Sequence, residues 1–232
     1  MKTKLPTRWN LTPPEAIRLQ GCLREQVETQ DRLGTIRYVA GADMAFDAET
    51  NLAFAGVIVY RFPTLEEVER RTARRKLRFP YVPGLLSFRE SPVLLAAFER
   101  LRIEPDVILV DGHGVAHPRR FGIACHLGLI LDKPTIGCAK SILVGEAREP
   151  GMKSGSTGAL VDKGEKVGVA LRTRDNVRPI YVTTGHRVSL ESAVRIVTQC
   201  LDGFRIPKPT READHYVGAL RRIYQAARAS GA

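Results

Sequence analysis

The spacing of apolar and polar residues along the chain predicts both helices and strands. Runs in which apolar residues recur every three to four positions are typical of amphipathic helices. We predict helices over five segments, which are 14–30, 89–103, 119–131, 189–201 and 211–229. Ser189 is placed to cap the fourth helix, and Glu191 in its first turn suits the helix dipole.

Short runs that are rich in aliphatic and β-branched residues predict strands. These runs are 36–46, 52–62, 107–110, 135–139, 166–173 and 179–184. The polar stretch 47–51 suits a hairpin connection between the first two. The segment 66–78 is highly charged, and its pattern fits either an edge strand or a helix.

The order of these elements indicates the fold class. Hairpin strands come first, and strands that alternate with helices follow, which predicts a mixed sheet with helices on its faces. A chain of 232 residues favours one domain, and we expect residues 1–232 to form it. Ligands of such sheets bind outside the carboxyl ends of the parallel strands, so functional side chains are expected at that edge.

The composition is ordinary for a globular protein, with 44% hydrophobic and 26% charged residues. No apolar run reaches the roughly 18 residues of a membrane-spanning helix, so we expect no membrane partner. The four cysteines form no CxxC pair, and Cys125 and Cys138 lie in apolar surroundings, as buried thiols do. Buried free thiols fit a reducing compartment, and we expect a cytoplasmic protein.

The formal net charge of +11 is the first property that points beyond the fold. A balance this basic favours a polyanionic partner, because each Lys or Arg that neutralises a phosphate releases a counterion. Simple solubility is the alternative explanation. We favour nucleic acid, since a strongly basic domain is the usual electrostatic footprint of a nucleic-acid-binding protein.

Two acidic residues directly follow apolar runs. Asp43 comes after 38–42 and Asp111 after 107–110. A carboxylate next to buried aliphatic residues is unfavourable unless it is paired or binds a cation. If the two strands are neighbours, the carboxylates converge into a site of hard oxygen ligands that suits Mg²⁺. Either aspartate alone could simply cap a turn or helix, but the pair in so basic a chain favours a metal site.

Three further charged residues are candidates for the same site. Lys140 ends the strand 135–139, where its ammonium group could contact a phosphate or lie free at the surface. Glu90 lies just inside a predicted helix, and Asp214 lies in the last one. Alone, Glu90 is a favourable charge near a helix start and Asp214 a solvated polar position.

Basic residues cluster in two other places. The segment 117–120 (HPRR) stands at a predicted helix start, where free backbone N–H groups and the dipole favour phosphate. The second cluster could track a phosphate backbone if it is a strand, or be a solvated face if it is a helix. Its members are Arg70, Arg71, Arg74, Arg75, Lys76 and Arg78.

Eight segments, found in the same order along the chain, make it resemble the endonuclease V family of deoxyinosine-directed repair nucleases. The resemblance covers roughly residues 15–220. The segments are 40–43 (AGAD), 80–84 (PYVPG), 86–90 (LSFRE), 110–114 (VDGHG), 117–120 (HPRR), 134–140 (PTIGCAK), 184–189 (TGHRVS) and 207–211 (PKPTR). Each segment alone is a weak signal, whereas FRE, DGHG and HPRR together are highly specific.

The resemblance implies an RNase H-like α/β fold, in which helices flank a central mixed five-stranded sheet, with extra strands and a C-terminal helix. It implies a deoxyribonuclease V-type endonuclease that acts in DNA repair. The family cleaves the second phosphodiester bond 3′ to a deaminated purine such as deoxyinosine, and leaves 3′-hydroxyl and 5′-phosphate ends. DNA that contains deoxyinosine is therefore the implied partner, and we expect a monomer.

The resemblance also implies catalytic roles. Asp43 and Asp111 would be direct ligands of Mg²⁺, for which Mn²⁺ could substitute. Glu90 would be a further carboxylate of the site, and Lys140 would lie near the scissile phosphate or the leaving oxygen. We hypothesise that a Mg²⁺ ion on the two aspartates activates a water molecule for in-line attack. Glu90 and Asp214 would orient this water or hold a second ion.

The final catalytic position departs from part of the family. Some members have a histidine there, whereas this chain has Asp214 followed by His215. A helix turns about 100° per residue, so both side chains cannot point at the metal equally well. We favour Asp214 because RNase H-like sites commonly end with an acid.

Lesion recognition is implied for the segment 80–83, which would form a wedge. Its two prolines stiffen the loop, and an aromatic ring can fill the gap that an extruded base leaves. The lesion base would rotate into a pocket lined by backbone, which suits hypoxanthine because its N1–H and O6 differ from the edge of adenine. The implied DNA- and lesion-binding residues are Pro80, Tyr81, Val82, Pro83, Gly84, Leu85, Arg89, Gly112, His117 and Arg119.

Two alternative functions are compatible with the same fold. An inosine-specific endoribonuclease would act on inosine-containing RNA, and the sequence does not decide between DNA and RNA. A nucleic-acid-binding protein without cleavage activity is disfavoured, because all four acidic positions of the implied site carry acids.

Overall fold

The computed structural model describes residues 1, 3–5 and 8–230, and this part of the chain contains five helices and nine strands. The helices are α1 Pro13–Arg24, α2 Leu86–Phe98, α3 Ile123–Leu131, α4 Leu190–Gln199 and α5 Lys208–Ala229. The strands are β1 Tyr38–Asp47, β2 Leu52–Arg61, β3 Glu66–Lys76, β4 Val107–Val110, β5 Thr135–Ala139, β6 Glu146–Ala147, β7 Thr157–Asp162, β8 Glu165–Leu171 and β9 Ile180–His186.

The nine strands of the described residues form one sheet, in the order β3-β2-β1-β4-β5-β9-β8-β7-β6. β1, β2 and β3 are an antiparallel meander, whereas β4 and β5 continue the sheet parallel to β1. These five strands are the predicted mixed sheet, and the other four extend it with antiparallel pairings. The predicted fold class is confirmed, and the segment 66–78 contains an edge strand rather than a helix.

Helices cover both faces of the sheet. α2 and α3 pack on one face, in a core to which the strands contribute Ala42 and Val110. α4 packs on the other face, against a core that includes Val39 and Leu109. Side chains alternate between the two faces along a strand, which explains why all four residues of β4 are buried.

The close approach of α5 to β1 depends on Gly41. A Cβ atom at this position would lie 1.9 Å from the carbonyl oxygen of Pro209, in the first turn of α5. Only a residue without a side chain allows this contact. Residues two apart on a strand share a face, so Asp43 points to the same side of the sheet as this contact.

Four helices have a boundary that differs from the predicted one by more than two residues. α1 ends at Arg24 rather than at residue 30, because the chain after it bonds to the end of β9, where the Arg187 N–H donates to the Glu28 carbonyl over 2.6 Å. α3 begins at Ile123 rather than at residue 119, because Arg120 has a left-handed backbone with φ of 54°. α2 covers 86–98 instead of 89–103, and α5 begins at 208 rather than 211.

The strands show one correction that bears on function. β1 continues to Asp47, so Asp43 lies inside a strand. The end of the apolar run at residue 42 had suggested instead that Asp43 stands at a strand end. β1 outlasts the parallel part of the sheet because its second half pairs with β2 alone. β6 and β7 were not predicted, since β6 has only two residues and β7 alternates too briefly to stand out.

The predictions of buried cysteines and of a Ser189 cap on α4 are both confirmed. Cys125 and Cys138 are buried free thiols, as predicted, and Cys200 is a third. Ser189 caps α4, since its hydroxyl accepts the Ser192 N–H over 3.1 Å. In the described part of the chain, no helix is both long and apolar enough to span a membrane.

Candidate active site

Three carboxylates meet on the face of the sheet that α5 covers. Asp43 comes from β1, Asp111 follows β4, and Asp214 comes from α5. One carboxylate oxygen of each lies within 4.8 Å of the other two. All three residues are partly buried. The structure therefore brings together three acids that are far apart in the sequence.

The strand register explains why the first two carboxylates meet. Ala42 of β1 pairs with Val110 of β4 in parallel register, so the residues that follow them, Asp43 and Asp111, are neighbours. The Asp111 N–H donates to the Ala42 carbonyl oxygen over 3.4 Å, which continues the ladder by one residue. The prediction that the two acids converge at neighbouring strands thus holds, although only Asp111 stands at a strand end.

The helix that carries Asp214 also settles how its neighbour is oriented. Asp214 lies in the acidic cluster, whereas His215 is exposed and belongs to no metal-ligand group of the described residues. The angle of about 100° between successive helical residues accounts for the difference. The chain thus presents an acid, not an imidazole, at this position.

Lys140 follows β5 and reaches into the cluster. Its Nζ lies 2.6 Å from an Asp111 oxygen and 3.2 Å from an Asp214 oxygen. The Arg205 guanidinium donates to the Lys140 carbonyl oxygen over 2.9 Å and holds the backbone at this point. The lysine side chain remains 41% exposed, so its ammonium group faces both the acids and the solvent.

Glu90 approaches the cluster from α2, on the other side of the sheet edge. Burial raises the pKa of its carboxyl group to about 8, and the negative charge of Asp111 adds to the effect. The charge of the adjacent Arg89 acts in the opposite direction. Glu90 is therefore close enough to Asp111 to sense its charge, but it is not one of the three acids that share a single point.

The electrostatics of the cluster indicate an unmet need for positive charge. Burial and the charge of Asp111 together raise the pKa of Asp43 to about 8, against a hydrogen bond of 2.7 Å from the Met44 N–H. Burial also raises the pKa of Asp111, which Lys140 partly offsets. One ammonium group does not balance four carboxyl groups. A divalent cation with oxygen ligands fits this donor set.

A cavity of about 220 Å³ adjoins the acidic cluster. Asp111 belongs to the cluster and the next residue, Gly112, lines the cavity. Tyr81 stands at the cavity with 71% of its surface exposed. The lining of the cavity includes the predicted residues Tyr81, Val82, Pro83, Gly84, Gly112 and His117. Pro80 and Leu85 do not line it, and the Leu85 side chain is buried in a core cluster.

The Gly84 carbonyl oxygen is a focal point of this cavity. It accepts hydrogen bonds from His117 Nε2 (3.0 Å), the Arg119 guanidinium (2.7 Å) and the Gln20 amide (3.1 Å). The Arg119 N–H donates to His117 Nδ1 over 3.1 Å, so His117 is a neutral imidazole with its hydrogen on Nε2. Burial lowers the pKa of His117 to about 4, in keeping with this neutral form.

Sequence reasoning missed Gln20. Its side chain is 1% exposed, and it also donates to the Phe121 carbonyl and accepts from Arg119 Nε over 2.5 Å. The available signal was helical spacing, because Gln20 lies four residues after the buried Ala16 on the inner face of α1. A polar residue on an apolar face needs hydrogen-bond partners, and here these partners belong to the cavity wall.

The predicted phosphate site at a helix start is wrong. Residues 117–120 form a turn before α3, in which the Arg120 N–H donates to the His117 carbonyl over 2.9 Å. The Arg120 side chain pairs with Asp162 and Glu165, each over 2.8 Å, and thus links this turn to the β7–β8 hairpin. The turn shapes the cavity and does not offer free helical N–H groups.

Two arginines hold the ends of the segment that carries Tyr81. The Arg89 guanidinium donates to the Phe79 carbonyl over 2.9 Å and lies 4.9 Å from the centre of the Phe46 ring. Arg119 holds Gly84 at the other end, where the backbone has φ of 76°. The predicted nucleic-acid contacts Arg89 and Arg119 thus both bond to backbone of the protein itself.

The opposite wall of the cavity was also missed. Ser141, Ile142 and Leu143 line it directly after Lys140, and the last two are 39% and 45% exposed. Two exposed aliphatic residues beside a candidate catalytic lysine are the sequence signal that could have drawn notice. The cavity therefore lies between two exposed apolar edges, one on either side.

Known proteins resemble this chain over nearly all of its length. The endonuclease V family model matches residues 21–215. Endonuclease V of a Roseiflexus species is 50% identical over 206 residues, which are 89% of this chain and 92% of that protein. The crystal structure of endonuclease V from Streptomyces avermitilis has 40% identity and a TM-score of 0.89, over 98% of this chain and 99% of that one.

A third comparison includes a bound nucleic acid. Endonuclease V from Ciona intestinalis, in complex with DNA containing an inosine followed by a ribo-adenosine, has 30% identity and a TM-score of 0.79. The match covers 92% of this chain and 100% of that chain. With its mixed sheet, its acidic cluster and these relatives, the chain belongs to the endonuclease V family of RNase H-like nucleases.

Proposed function

We propose that this nuclease repairs DNA by hydrolysing the second phosphodiester bond 3′ to a deoxyinosine, leaving 3′-hydroxyl and 5′-phosphate ends. The observation that carries the proposal is the junction between the acidic cluster and the cavity, through the consecutive residues Asp111 and Gly112. Such a junction suits an enzyme that must select a base and cut a nearby phosphate. The inosine-containing DNA bound by the Ciona relative supports the same substrate class.

The cation of the site is proposed to be Mg²⁺, with Mn²⁺ as a substitute. Asp43 and Asp111 would be its direct ligands, and Asp214 is near enough to share it. The raised pKa values of Asp43 and Asp111 are the reason, because burial without a cation disfavours their charged forms. When bound, such a cation neutralises phosphate charge and lowers the pKa of a coordinated water.

The side chains around the cation have distinct proposed roles. Lys140 would stabilise the charge that develops on the scissile phosphate or the departing 3′ oxygen, because its ammonium group is half exposed beside Asp111. Glu90 and Asp214 would orient the attacking water, whose oxygen forms the new P–O bond while the bond from phosphorus to the 3′ oxygen breaks.

Lesion choice is proposed to reside in the cavity and its wedge. Tyr81 would fill the gap in the base stack, and the extruded base would enter between Gly84 and Gly112. His117 and Arg119 would act by fixing the Gly84 backbone, since both already donate to its carbonyl oxygen. Arg89 would fix the other end of the wedge segment through Phe79.

The experiment that tests the proposal maps the cut on a duplex with one deoxyinosine. A product that ends one nucleotide beyond the inosine is expected, with a 3′ end that a polymerase extends and a 5′ end that a ligase joins. The same duplex with adenosine at that position is the control. Cleavage at another bond, or equal cleavage of the control duplex, would contradict the proposal.

Inosine-containing RNA is a second candidate substrate. The DNA in the Ciona complex has a ribonucleotide directly after the inosine, which favours testing it. Parallel assays on DNA, RNA and a DNA with a single ribonucleotide after the inosine separate the two. We further propose that the protein is a monomer. We also propose that it acts in the cytoplasm, because three of its four cysteines are buried free thiols, which suits a reducing compartment.

A further inference from the structure

The six basic residues of segment 70–78 divide into a group of two and a group of four. Arg70 and Arg71 are paired, with Glu67 at 2.6 Å and Glu69 at 2.7 Å. The other four residues are exposed, and no carboxylate of the described residues lies within ion-pair distance of them. We name them the outer basic strip, which comprises Arg74, Arg75, Lys76 and Arg78.

The outer basic strip lies beyond the acidic cluster at the same edge of the sheet. Asp43 is level with Gly56 of β2 and Thr72 of β3 in the strand register. Lys76 is two strands away and four residues further along, which puts it about 16 Å from Asp43 by ordinary sheet dimensions. The strip is too far from the cluster to touch the cleaved phosphate, and close enough to reach the same nucleic acid.

A groove lies beside the strip. It is a cavity of about 360 Å³ between the end of β3, the start of α2 and the segment around Trp9. Arg75, Lys76 and Arg78 line it, together with Phe79 and Arg89. Phe79 precedes the wedge, and Arg89 precedes Glu90. One end of the groove therefore lies beside residues that adjoin the wedge and Glu90 in the sequence, and the other end lies at the open edge of the sheet.

We propose that the outer basic strip binds the phosphate backbone of the substrate duplex, about five base pairs from the cleaved phosphate at a rise of 3.4 Å per base pair. The inference rests on the proposed function. Four neighbouring cations without acidic partners repel one another, and phosphates relieve this repulsion while releasing counterions. The contact would anchor the duplex without reading its bases, so it adds affinity for any DNA and leaves lesion choice to the cavity.

A competing explanation concerns the edge strand itself. Exposed charges on an edge strand prevent sheets of two molecules from pairing. This explanation requires charge at the edge, but it does not require the groove toward Phe79 and Arg89. It also makes a different prediction, because neutral substitutions would cause self-association and leave DNA affinity unchanged.

The test replaces all four residues, as Arg74→Gln, Arg75→Gln, Lys76→Gln and Arg78→Gln in one protein. The matched control removes the same charge from the other end of the sheet, as Lys163→Gln, Lys166→Gln, Arg174→Gln and Arg178→Gln. Fluorescence anisotropy without divalent cation gives the affinity for an inosine duplex between 50 and 200 mM salt. Single-turnover cleavage at saturating enzyme and Mg²⁺ gives the rate of the chemical step.

The strip variant should bind at least tenfold more weakly at the lowest salt. The magnitude of its slope of log affinity against log salt should fall by about 3.6, because each of four lost phosphate contacts removes about 0.9. Its single-turnover rate at saturation should stay within about twofold of the unsubstituted protein. Shortening the duplex to fewer than five base pairs on the side that reaches the strip should weaken DNA binding by the unsubstituted protein. The same change should leave DNA binding by the variant unaffected.

Three results would overturn the inference. They are unchanged affinity without self-association, unchanged affinity with self-association (as the edge-strand explanation predicts), and an equal loss of affinity in the matched control. Failure of the proposed function looks different. In that case the unsubstituted protein would not cut inosine duplexes, while the strip would still govern salt-dependent binding to undamaged DNA.

Discussion

The Lys140 Nζ lies 2.6 Å from Oδ2 of Asp111, and this contact ties the end of β5 to the end of β4. The ammonium group of Lys140, which is itself 41% exposed, partly offsets the rise that burial causes in the pKa of Asp111. Lys140→Gln should slow single-turnover cleavage about 100-fold, because one donor to the developing charge is lost. Lys140→Arg should recover part of the rate. A wild-type rate in Lys140→Gln would exclude the role.

Asp43 should be needed for cutting but not for binding. Asp43→Asn removes a proposed cation ligand and leaves the cavity, wedge and basic surface intact. We expect wild-type affinity for an inosine duplex and loss of cleavage by several orders of magnitude. Glu99→Gln, which changes an exposed acid on the chain after α2, is the control and should cut normally. Cleavage by Asp43→Asn near the wild-type rate would remove the acidic cluster from the reaction.

The same Asp43→Asn protein should be more resistant to heat than the unsubstituted protein when no divalent cation is present. It removes a buried carboxyl group that burial and Asp111 both disfavour in its charged form. Added Mg²⁺ should raise the Tm of the unsubstituted protein by mass action and should have little effect on the variant. Differential scanning fluorimetry with and without Mg²⁺ measures both effects. Equal Mg²⁺ shifts in the two proteins would argue against Asp43 as a ligand.

Tyr81→Ala should weaken lesion choice with little effect on stability. The side chain is 71% exposed, so its loss should change the free energy of unfolding by less than about 0.5 kcal/mol. Affinity for inosine duplexes and the ratio of inosine to adenosine cleavage should fall, while the Mg²⁺ dependence stays the same. Tyr81→Phe keeps the ring and should behave almost normally. An unchanged cleavage ratio in Tyr81→Ala would rule out the wedge.

Gln20→Leu should separate the cavity wall from the rest of the fold. It leaves the Phe121 carbonyl and Arg119 Nε without a partner and removes one of three donors to Gly84, which should destabilise the protein by about 1–3 kcal/mol. The loosened Gly84 should lower the preference for inosine. Val197→Ala, on the buried face of α4, should reduce the Tm similarly and keep the preference. Loss of preference in both variants would mean that stability alone is responsible.

Buried histidine should make the fold sensitive to acid. Burial lowers the pKa of His126 to about 3, and its Nδ1 lies 3.0 Å from the Ser87 hydroxyl. The unfolded chain takes up this proton near pH 6.5, whereas the folded protein does not. Stability is therefore complete above pH 6.5 and falls as the pH decreases, by about 2 kcal/mol from this residue at pH 5. Urea unfolding of His126→Asn should show a weaker pH dependence than the unsubstituted protein, although at lower stability.

Some parts of the site could be predicted from residues alone. Asp43 and Asp111 each follow an aliphatic run, so their position on adjacent strands was foreseeable from local pattern. Asp214 was not, because a polar residue on a helix carries no local sign of a tertiary partner, and resemblance to a family was needed. Its contact with the other acids depends on how α5 packs across β1, which the sequence near Asp214 does not encode.

Helix boundaries and long-range hydrogen-bond partners were less predictable for similar reasons. The inner face of α1 looked like an ordinary amphipathic surface until Gln20 met Gly84 and Phe121 across the fold. The helix start expected at residue 119 failed because Arg120 adopts a left-handed backbone, which is not readable from an arginine. Long-range hydrogen bonds decided both cases, and sequence periodicity reports only local neighbours.

The contact between Gly41 and Pro209 has a consequence for biosynthesis. A ribosome makes Asp43, Glu90 and Asp111 long before it makes Asp214, and α5 can dock on β1 only after Pro209 has emerged. Since all nine strands of the described residues precede α5, a nascent chain can form this sheet before its acidic cluster is complete. A product that stops before α5 would have the sheet but only two of the three clustered carboxylates, and we expect such a product to be inactive as a nuclease.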